Sequence, residues 1–387
     1  MKKVIFISAL AIAAAASCTK SDIVDTKFNE QISFQTYAGR DAMTKATAVE
    51  SADALKNSQG IGVYGFYTGK DSFDPANSVA NLWANERVYW GTYLKDNVEV
   101  TGWTYATTKY WANDADKYTF LAYAPYGHST ITNVSDDPNN EDVKNPTITY
   151  TVPQTPLSDQ QDLLYAKEQG TAAAYKTSGV TLHMMHALAR LTVTAYAPTD
   201  ANGFQFDVKK VTISGKFNTK GTFALATAAV AETEDTGWTP IPATATENVE
   251  YVIYDDNTAS KKADGTFDVL PSTSETAVNY AKVGEQYNNY LMMIPTKFTA
   301  DNTAILSVTY TTIYEGQESE PVTKELPIVM DFRMGKAYAI NLNFSHTATP
   351  ITFNVSVATW GDEVPVTSTG TGKNNPEDYA AKTEGDE

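Results

Sequence analysis

Short apolar runs, many of them alternating with polar residues, recur along most of the chain and are separated by Gly, Pro, Asn and Asp. Clear examples are residues 32–37, 61–67, 118–124 and 351–358. Residues 351–357 alternate strictly, as a strand does when one face is buried and the other is solvated. No long helical stripe or heptad repeat occurs in the sequence. Many short strands with turn residues between them predict an all-β protein built of antiparallel sandwiches or barrels.

Two further features organise the chain. Residues 48–56 and 169–175 are predicted to be short connecting helices. Residues 197–203 form a turn-rich segment between two strong strand runs. We therefore expect the chain to divide there, into an N-terminal β-domain at residues 46–197 and a C-terminal one at residues 198–360.

The composition changes after residue 360. Residues 361–387 contain seven acidic residues, two lysines and few apolar side chains. A segment of this kind cannot bury enough apolar surface to fold. It is predicted to be a solvated, disordered acidic tail.

The N-terminus has the pattern of a secretory signal. Lys2 and Lys3 precede an apolar run at residues 4–16, and small residues precede Cys18. The run is too short to span a bilayer core of about 30 Å, so residues 1–17 are predicted to be a signal peptide. A cysteine at this place resembles a bacterial lipobox, which implies acylation of Cys18 and anchoring in a membrane. The alternative is a plain signal peptide with an incidental cysteine.

Composition and charge exclude several classes of protein. The 387 residues carry a net charge of -17, which becomes -19 without the two lysines of residues 1–17. Such an acidic balance argues against binding to nucleic acid. The single cysteine excludes an intrachain disulfide framework and a multi-cysteine metal site. The 23 tyrosines, 15 phenylalanines and 6 tryptophans favour strands over helices.

Two motifs suggest chemistry, but their context does not support it. Residues 60–65 match G-x-G-x-x-G, yet they run into a strand pattern, whereas a dinucleotide site needs a helix there. We expect a strand with glycine kinks. His183 and His186 form H-x-x-H within another strand run. On a strand this spacing points the two rings to opposite faces, so a structural role is favoured over a zinc site.

The remaining candidates for chemistry are weak. The acidic loop contains Asp136, Asp137, Asn139 and Asp142 but lacks the spacing of a calcium loop, so a polar loop is favoured. No G-x-S-x-G nucleophile motif is present. We therefore expect a protein that is not an enzyme and that has no catalytic, cofactor-binding or metal-binding residues.

Several segments, taken in order, resemble the fimbrillin family, the subunits of type V pili and related surface lipoproteins of Gram-negative anaerobes. The resemblance extends from Cys18 to Trp360. It is carried by the segments Ile32-Ser-Phe-Gln-Thr-Tyr37, Gly62-Val-Tyr-Gly-Phe-Tyr67, Tyr118-Thr-Phe-Leu-Ala-Tyr-Ala-Pro125, Asp162-Leu-Leu-Tyr-Ala166, His186-Ala-Leu-Ala-Arg-Leu191 and Val357-Ala-Thr-Trp360, and by a tryptophan-rich stretch.

The resemblance implies two transthyretin-like β-sandwich domains in tandem. It also implies export as an outer-membrane lipoprotein and cleavage after a basic residue, for which Arg40 and Lys45 are the candidates. Residues 18–45 would then be a tether and a removable first strand whose inward-facing residues include Ile32 and Phe34. The alternative is that the two basic residues are ordinary exposed residues of a tether.

Removal of the first strand would open a groove that a strand from a neighbouring pilus subunit then fills. An exposed sheet edge is a template for such strand addition. The candidate donor strand contains the alternating apolar residues Ile351, Phe353, Val355 and Val357. Because 27 further residues follow Trp360, the chain is either a stalk subunit with a hanging tail or a tip, anchor or accessory subunit.

A second hypothesis is a surface lipoprotein that does not polymerise and that binds glycans. Exposed tryptophans would serve as stacking platforms, and the candidates are Trp83, Trp90, Trp103 and Trp111. Packing in the core is the favoured interpretation of these four residues. A host or bacterial surface ligand is a possible partner under either hypothesis.

Overall fold

The described part of the chain begins at Glu30, shortly before the first strand, and most of its elements are β-strands. The computed structural model describes residues 30–38, 52–95, 97–132, 134–135, 142–154, 156–198, 203–227, 229–230, 235–242, 247–256, 269–270, 272–273, 281–282, 290–345 and 351–360. Two short helices, α1 (Ala52–Lys56) and α2 (Ala172–Tyr175), and a 3-10 turn at Leu157–Asp159 connect the strands. None of the helices in these ranges has the length and apolar character needed to cross a membrane.

The strands of the first half, in chain order, are β1 (Phe34–Ala38), β2 (Ile61–Gly69), β3 (Trp83–Lys95), β4 (Val98–Thr104), β5 (Lys117–Ala124), β6 (Ile131–Thr132), β7 (Thr147–Thr151), β8 (Leu164–Thr171), β9 (Val180–His186), β10 (Ala189–Pro198), β11 (Gln205–Gly215), β12 (Lys220–Ala224) and β13 (Ala229–Val230). Those of the second half are β14 (Asp235–Thr236), β15 (Trp238–Pro240), β16 (Val249–Asp255), β17 (Ser272–Thr273), β18 (Ala281–Lys282), β19 (Leu291–Met293), β20 (Thr296–Lys297), β21 (Ala304–Tyr314), β22 (Gln317–Glu318), β23 (Val322–Ile328), β24 (Asp331–Phe332), β25 (Lys336–Phe344) and β26 (Ile351–Thr359).

A seven-stranded sheet has the order β1-β9-β8-β5-β2-β3-β4. All neighbours are antiparallel except β1, which lies parallel to β9. Side chains alternate between the two faces, and in the central strands β2 and β5 both faces are buried. One face contributes to a small core, whose members are Ile32, Phe34, Leu55, Ile61, Val63, Trp83, Val88, Trp103, Tyr105, Trp111, Tyr118, Phe120, Ala122, Ala124, Leu164, Ala166, Ala172, Val180, Leu182 and Met184.

The opposite face of this sheet is covered by a four-stranded sheet of order β15-β12-β7-β6. The rings of Tyr165 and Phe223 meet between the two sheets with their centroids 5.0 Å apart. Nζ of Lys167 donates a hydrogen bond of 2.8 Å to the carbonyl oxygen of Ala226. The two layers therefore form a β-sandwich.

The later strands form two further packed sheets. One has the order β17-β10-β25-β26, with β18 and β19 also paired to β10, and the other has the order β16-β11-β21-β22, with β23 paired to β21. Phe344 packs between them, with its ring centroid 5.4 Å from that of Phe206 and 5.2 Å from that of Tyr310. A large core, which includes Tyr64, Phe223 and Phe344, is continuous from the first sandwich into these sheets.

The all-β architecture is confirmed, whereas strand pairing does not follow the expected division at residues 197 and 198. β9 pairs with β8 and β1, but β10 pairs with β25, so the chain changes sheet at residues 187–188. Ala187 and Leu188 are buried and give no turn signal in the sequence. Farther along, β12 returns to pair with β7. The acidic segment at residues 361–387 lies outside the described residues.

The predictions for the two short helices and for the glycine motif had different outcomes. α1 lies within the expected helical segment at residues 48–56. The helix expected at residues 169–175 begins only at Ala172, because β8 continues to Thr171 and pairs there with β5. The G-x-G-x-x-G segment lies on β2, as predicted, and a Cβ atom at Gly62 would be 2.1 Å from the ring of Tyr123.

Candidate site for strand removal and addition

β1 is the end strand of the seven-stranded sheet, and it is held by backbone pairing to β9 alone among the described strands. The register places Phe34 beside Val180 and Thr36 beside Leu182. The amide of Val180 donates a 2.8 Å hydrogen bond to the carbonyl oxygen of Ser33. The position of β1 at the edge means that it can leave without breaking the sheet behind it.

The residues just before β1 are tied to the loop between β4 and β5. The Ile32 amide donates to the carbonyl oxygen of Lys109 at 2.9 Å, and the Trp111 amide donates to that of Glu30 at 3.1 Å. The hydroxyl of Tyr105 donates a short hydrogen bond to the carbonyl oxygen of Ile32. Burial raises the pKa of Tyr105 to about 12, which keeps this donor protonated.

The inward-facing side chains of this segment fill an apolar pocket. Ile32 is 0% exposed and Phe34 is 5% exposed. The Phe34 ring centroid lies 5.7 Å from that of Trp83, 5.8 Å from that of Tyr105 and 5.6 Å from that of Phe120. We call this pocket, together with the adjoining edge of β9, the β1 slot.

Thr36 differs from the other inward-facing residues, Ile32 and Phe34, because its side chain is polar. Its hydroxyl Oγ1 is buried and has no hydrogen-bond partner among the described residues. A buried hydroxyl without a partner loses its hydrogen bonds to water and gains nothing in return. The slot therefore accepts β1 with one unfavourable group.

The other predicted residues of the N-terminal segment lie outside the described part of the chain. These are the lipidation candidate Cys18 and the cleavage candidates Arg40 and Lys45. β1 ends at Ala38, two residues before Arg40. The structure thus brings Ile32 and Phe34 together in the slot and describes no feature of the three other positions.

The candidate donor strand lies within its own sheet. β26 pairs antiparallel with β25, with Ile351 beside Phe344 and Phe353 beside Leu342. β26 is the end strand of that sheet. Along it, Ile351 is buried, Phe353 and Val355 are half-buried against the large core, and Val357 is 47% exposed.

The C-terminal end of β26 is fastened by Trp360, which the sequence analysis identified only as part of a closing motif. The Trp360 and His186 rings stack with centroids 4.1 Å apart and planes 2° apart. Nδ1 of His186 lies 2.8 Å from Oδ2 of the buried Asp162. The Trp360 amide donates to the carbonyl oxygen of Gly335 at 2.8 Å. This stack joins the end of β26 to β9, the neighbour of β1.

The two histidines of the H-x-x-H motif lie on opposite faces of β9, as predicted. His186 is buried, whereas the exposed His183 places its Nδ1 atom 2.6 Å from Oε1 of Glu168. Among the described residues, no group of three His, Cys, Asp or Glu side chains is arranged to hold a metal ion. Most of the acidic loop, residues 136–141, lies outside those residues.

The four tryptophans considered as glycan platforms differ in exposure. Trp83, Trp103 and Trp111 are buried in the small core. Trp90 is 36% exposed and packs edge-on against Trp103, with ring centroids 5.7 Å apart. The preference for core packing is therefore confirmed for three of the four. A glycan platform made of all four rings does not exist.

A family model and solved structures match this chain. No curated protein matches the sequence. A fimbrial protein from Bacteroides vulgatus shares 20% identity, and the match covers 86% of this chain and 100% of the other, with a TM-score of 0.63. A fimbrial assembly protein from Parabacteroides distasonis shares 14% identity over 86% of this chain and 98% of the other, with a TM-score of 0.40.

The first of these likenesses shows a shared fold. The model of the fimbrillin-like family matches residues 44–360, which is most of the chain. Family and fold together support a pilus or adhesion subunit. The chain belongs to the fimbrillin-like family.

Proposed function

We propose that this chain is a structural or adhesive subunit of a cell-surface pilus, exported as a lipoprotein through Cys18 and assembled by donor-strand exchange. Cleavage after Arg40 or Lys45 would release β1, and a strand from a neighbouring subunit would replace it. The observation that carries the proposal is the β1 slot, an apolar pocket filled by an end strand with a basic residue close behind it.

Loss of β1 would expose two kinds of surface at once. The backbone of β9 would lose its neighbour, and an unpaired strand edge accepts a strand from another chain. The rings of Trp83, Tyr105 and Phe120 would lose their contact with Phe34. Burial of apolar surface is the main favourable term in association, so the vacated slot favours refilling.

The N-terminal segment would determine where the precursor is held and when its assembly begins. An acylated Cys18 would hold the precursor at the outer membrane, because several buried acyl chains anchor a protein stably. While β1 occupies its slot, it covers the edge of β9 and the apolar pocket, and the precursor stays unassembled. Cleavage between Ala38 and Ala46 would both free the chain from its anchor and open the slot.

The glycan-binding alternative has less support, because only Trp90 of the four candidate rings is exposed. It keeps its own test. A surface lipoprotein of this kind would bind glycans without cleavage, and Trp90→Ala would abolish the binding.

The proposal is tested by cutting the full chain with a limiting amount of an Arg- or Lys-specific protease. We expect N-terminal sequencing to find a new terminus at Asp41 or Ala46 and size-exclusion chromatography to show large assemblies. The matched control is the chain with Arg40→Gln and Lys45→Gln, which should stay uncut there and monomeric. A chain that loses β1 and remains monomeric at high concentration would overturn the proposal.

A further inference from the structure

The hairpin of β3 and β4 extends beyond the rest of its sheet. β2 pairs with β3 no farther than Val88, so from Tyr89 onward β3 is paired with β4 alone among the described strands. Residues 89–95 of β3 lie one to one beside residues 98–104 of β4, and we call this two-stranded segment the ribbon. Exposed aromatic rings lie on both of its faces, Tyr89 on one and Trp90 on the other. Either face is therefore accessible to a partner.

One face of the ribbon carries two tyrosine rings beside a pair of glycines. Gly91 and Gly102 lie opposite each other, and Tyr89 and Tyr93 are two residues to either side of Gly91, so all four share this face. A Cβ atom at Gly91 would be 3.2 Å from the Tyr89 ring, and one at Gly102 would be 3.6 Å from the Tyr93 ring. The glycines thus leave the room into which both rings lean. Glycine weakens a strand, and within one it often marks a place where a ligand approaches the backbone.

Arg87 extends this row of planar groups toward the base of the ribbon. Its guanidinium carbon lies 5.3 Å from the centre of the Tyr89 ring and 5.9 Å from that of Tyr126. Nε donates a 2.8 Å hydrogen bond to the carbonyl oxygen of Gln59, which orients the group and leaves its two terminal nitrogens to bind a partner. Arg87 is exposed and forms no ion pair with a carboxylate of the described residues. In a chain with 46 acidic and 29 basic residues, such a cation favours an anionic ligand.

The tyrosine face is the surface formed by Arg87, Tyr89, Gly91, Tyr93 and Gly102. We propose that it binds a linear oligosaccharide that contains uronate sugars. The apolar C–H faces of the sugar rings would pack on Tyr89 and Tyr93. A uronate carboxylate would accept hydrogen bonds from both terminal nitrogens of Arg87. This inference goes beyond the proposed function, because it requires neither cleavage nor strand exchange.

The dimensions of the tyrosine face favour an extended ligand over a folded partner. From Arg87 to Tyr93 the strand rises about 20 Å, and two strands are about 10 Å wide. The resulting area of about 200 Å² is far below the area of about 800 Å² that each partner buries in a stable protein interface. An extended peptide binds by pairing with the edge of a strand, whereas these rings lie on the face. A linear glycan has no backbone amides to pair and lies across the face instead.

The side chains of the face also fit a sugar acid. Each phenol combines an apolar ring with a hydroxyl that donates and accepts hydrogen bonds, and tyrosine offers this surface at a low cost in conformational entropy. Arg87 lies between Tyr126 and Tyr89, so aromatic rings stand on both sides of the bound carboxylate. This arrangement favours a uronate within a chain over an acidic sugar at the end of one.

The opposite face of the ribbon accounts for its stability. There the rings of Trp90 and Trp103 pack edge to face with centroids 5.7 Å apart, and Nζ of Lys56 lies 4.6 Å from the centre of the Trp90 ring. Such aromatic cross-strand pairs stabilise a hairpin. Packing of the ribbon therefore does not require that Tyr89 remain 40% exposed.

Binding of the uncut chain to oligosaccharides tests the proposal. The probes are linear oligosaccharides of galacturonate, of mannuronate, and of glucuronate alternating with N-acetylglucosamine, each with its carboxyl-reduced neutral form as the control. Sialylated oligosaccharides form a further arm. We expect at least one uronate series to bind, and its neutral form to bind about tenfold more weakly or worse. A chain that binds none of the uronate series, or only the sialylated arm, would overturn the proposal.

Single substitutions then assign the contacts. Arg87→Gln should weaken binding of the acidic form about tenfold or more and change that of the neutral form much less, since the carboxylate contact is lost. Tyr89→Ala and Tyr93→Ala should each weaken binding of both forms about tenfold, because a stacking ring is lost. Leu94→Ser, at an exposed position on the opposite face, is the matched control and should bind like the original chain. Circular dichroism checks that every variant is folded.

Three results would contradict the assignment. Binding that Trp90→Ala abolishes and Tyr89→Ala does not would place the site on the opposite face. Equal binding of the acidic and neutral forms would exclude the role given to Arg87. Self-association of the uncut chain that Tyr89→Ala abolishes would show that the face binds a second copy instead. Strand exchange is tested on the cut chain, so the two proposals fail separately.

Discussion

β1 and β26 are both end strands with an Ile-x-Phe pair, which begins two residues before β1 and lies within β26, yet the two pairs are buried to different extents. β1 lies parallel to β9 with its phenylalanine enclosed by three aromatic rings, whereas β26 lies antiparallel to β25 with its phenylalanine half-buried. β26 has the longer backbone pairing, and β1 has the deeper side-chain pocket. The comparison teaches that β1 is held mainly by its side chains. β26 is held mainly by its backbone pairing and by the stack of Trp360 on His186 at its C-terminal end.

Truncation of the two phenylalanines, Phe34 and Phe353, should have the largest effect and should show the difference between the two strands most clearly. We expect Phe34→Ala to lower the free energy of unfolding by about 3–5 kcal/mol, since its ring fills an enclosed pocket. Phe353→Ala should cost less, because that ring is only partly buried against the large core. Denaturant titration of the full, uncut chain measures both, and equal losses would contradict the difference in burial.

Loss of the stack between Trp360 and His186 should let the C-terminal end of β26 open more often. Trp360→Ala removes the stack on His186 and a buried ring, and we expect a loss of about 2–3 kcal/mol. Hydrogen exchange of the β26 amides should speed up more than that of the β9 amides. Trp90→Ala, which removes a partly exposed ring on β3, is the control and should leave hydrogen exchange in β26 unchanged. An unchanged exchange rate in β26 would show that Trp360 does not hold it.

The Tyr105 hydroxyl should make the attachment of β1 sensitive to alkaline pH. Burial raises its pKa to about 12 in the folded chain, whereas an exposed tyrosine titrates near about 10. The stabilising contribution is therefore complete below pH of about 10 and is lost as the pH rises toward 12.

Tyr105→Phe isolates this effect from the other buried tyrosines. It should cost about 1–3 kcal/mol at pH 8, because the carbonyl oxygen of Ile32 loses its donor. The difference in stability between the original chain and the variant should shrink between pH 10 and pH 12. Thermal unfolding at a series of pH values measures it, and a difference that is constant across that range would count against the assignment.

The smallest expected effect concerns the hydroxyl group of Thr36 on β1. Thr36→Val should stabilise the uncut chain by about 1 kcal/mol, because it removes a buried hydroxyl without a partner. Thr181→Val, on the polar face of β9, is the matched control and should have almost no effect. If Thr36→Val destabilises the chain, the hydroxyl has a hydrogen-bond partner in solution.

Local patterns in the sequence predicted the all-β fold, because alternation with period two is typical of strands. The inward direction of Ile32 and Phe34 was implied by the resemblance to fimbrillins. The local patterns did not predict that β10 joins a different sheet from β9, since the buried link Ala187–Leu188 has no turn residue. The return of β12 to pair with β7 depends on contacts between distant parts of the chain. Such pairings leave no local signal.

The candidate site was predicted in part for the same reason. The apolar anchors of β1 and β26 are visible as alternating residues, but the stack between Trp360 and His186 joins positions far apart in the sequence. The closing Val-Ala-Thr-Trp segment was the only signal for it. The depth of the β1 slot likewise depends on Trp83, Tyr105 and Phe120, which come from three separate segments.

The central claim is that the slot vacated by β1 is refilled by a strand of a second copy. Sedimentation velocity of the cut full chain, with and without an excess of a peptide of residues 30–40, tests it most directly. The account predicts large assemblies without the peptide and monomers with it, because the peptide reoccupies the slot. A cut chain that stays monomeric, or assemblies that the peptide does not diminish, would contradict the account.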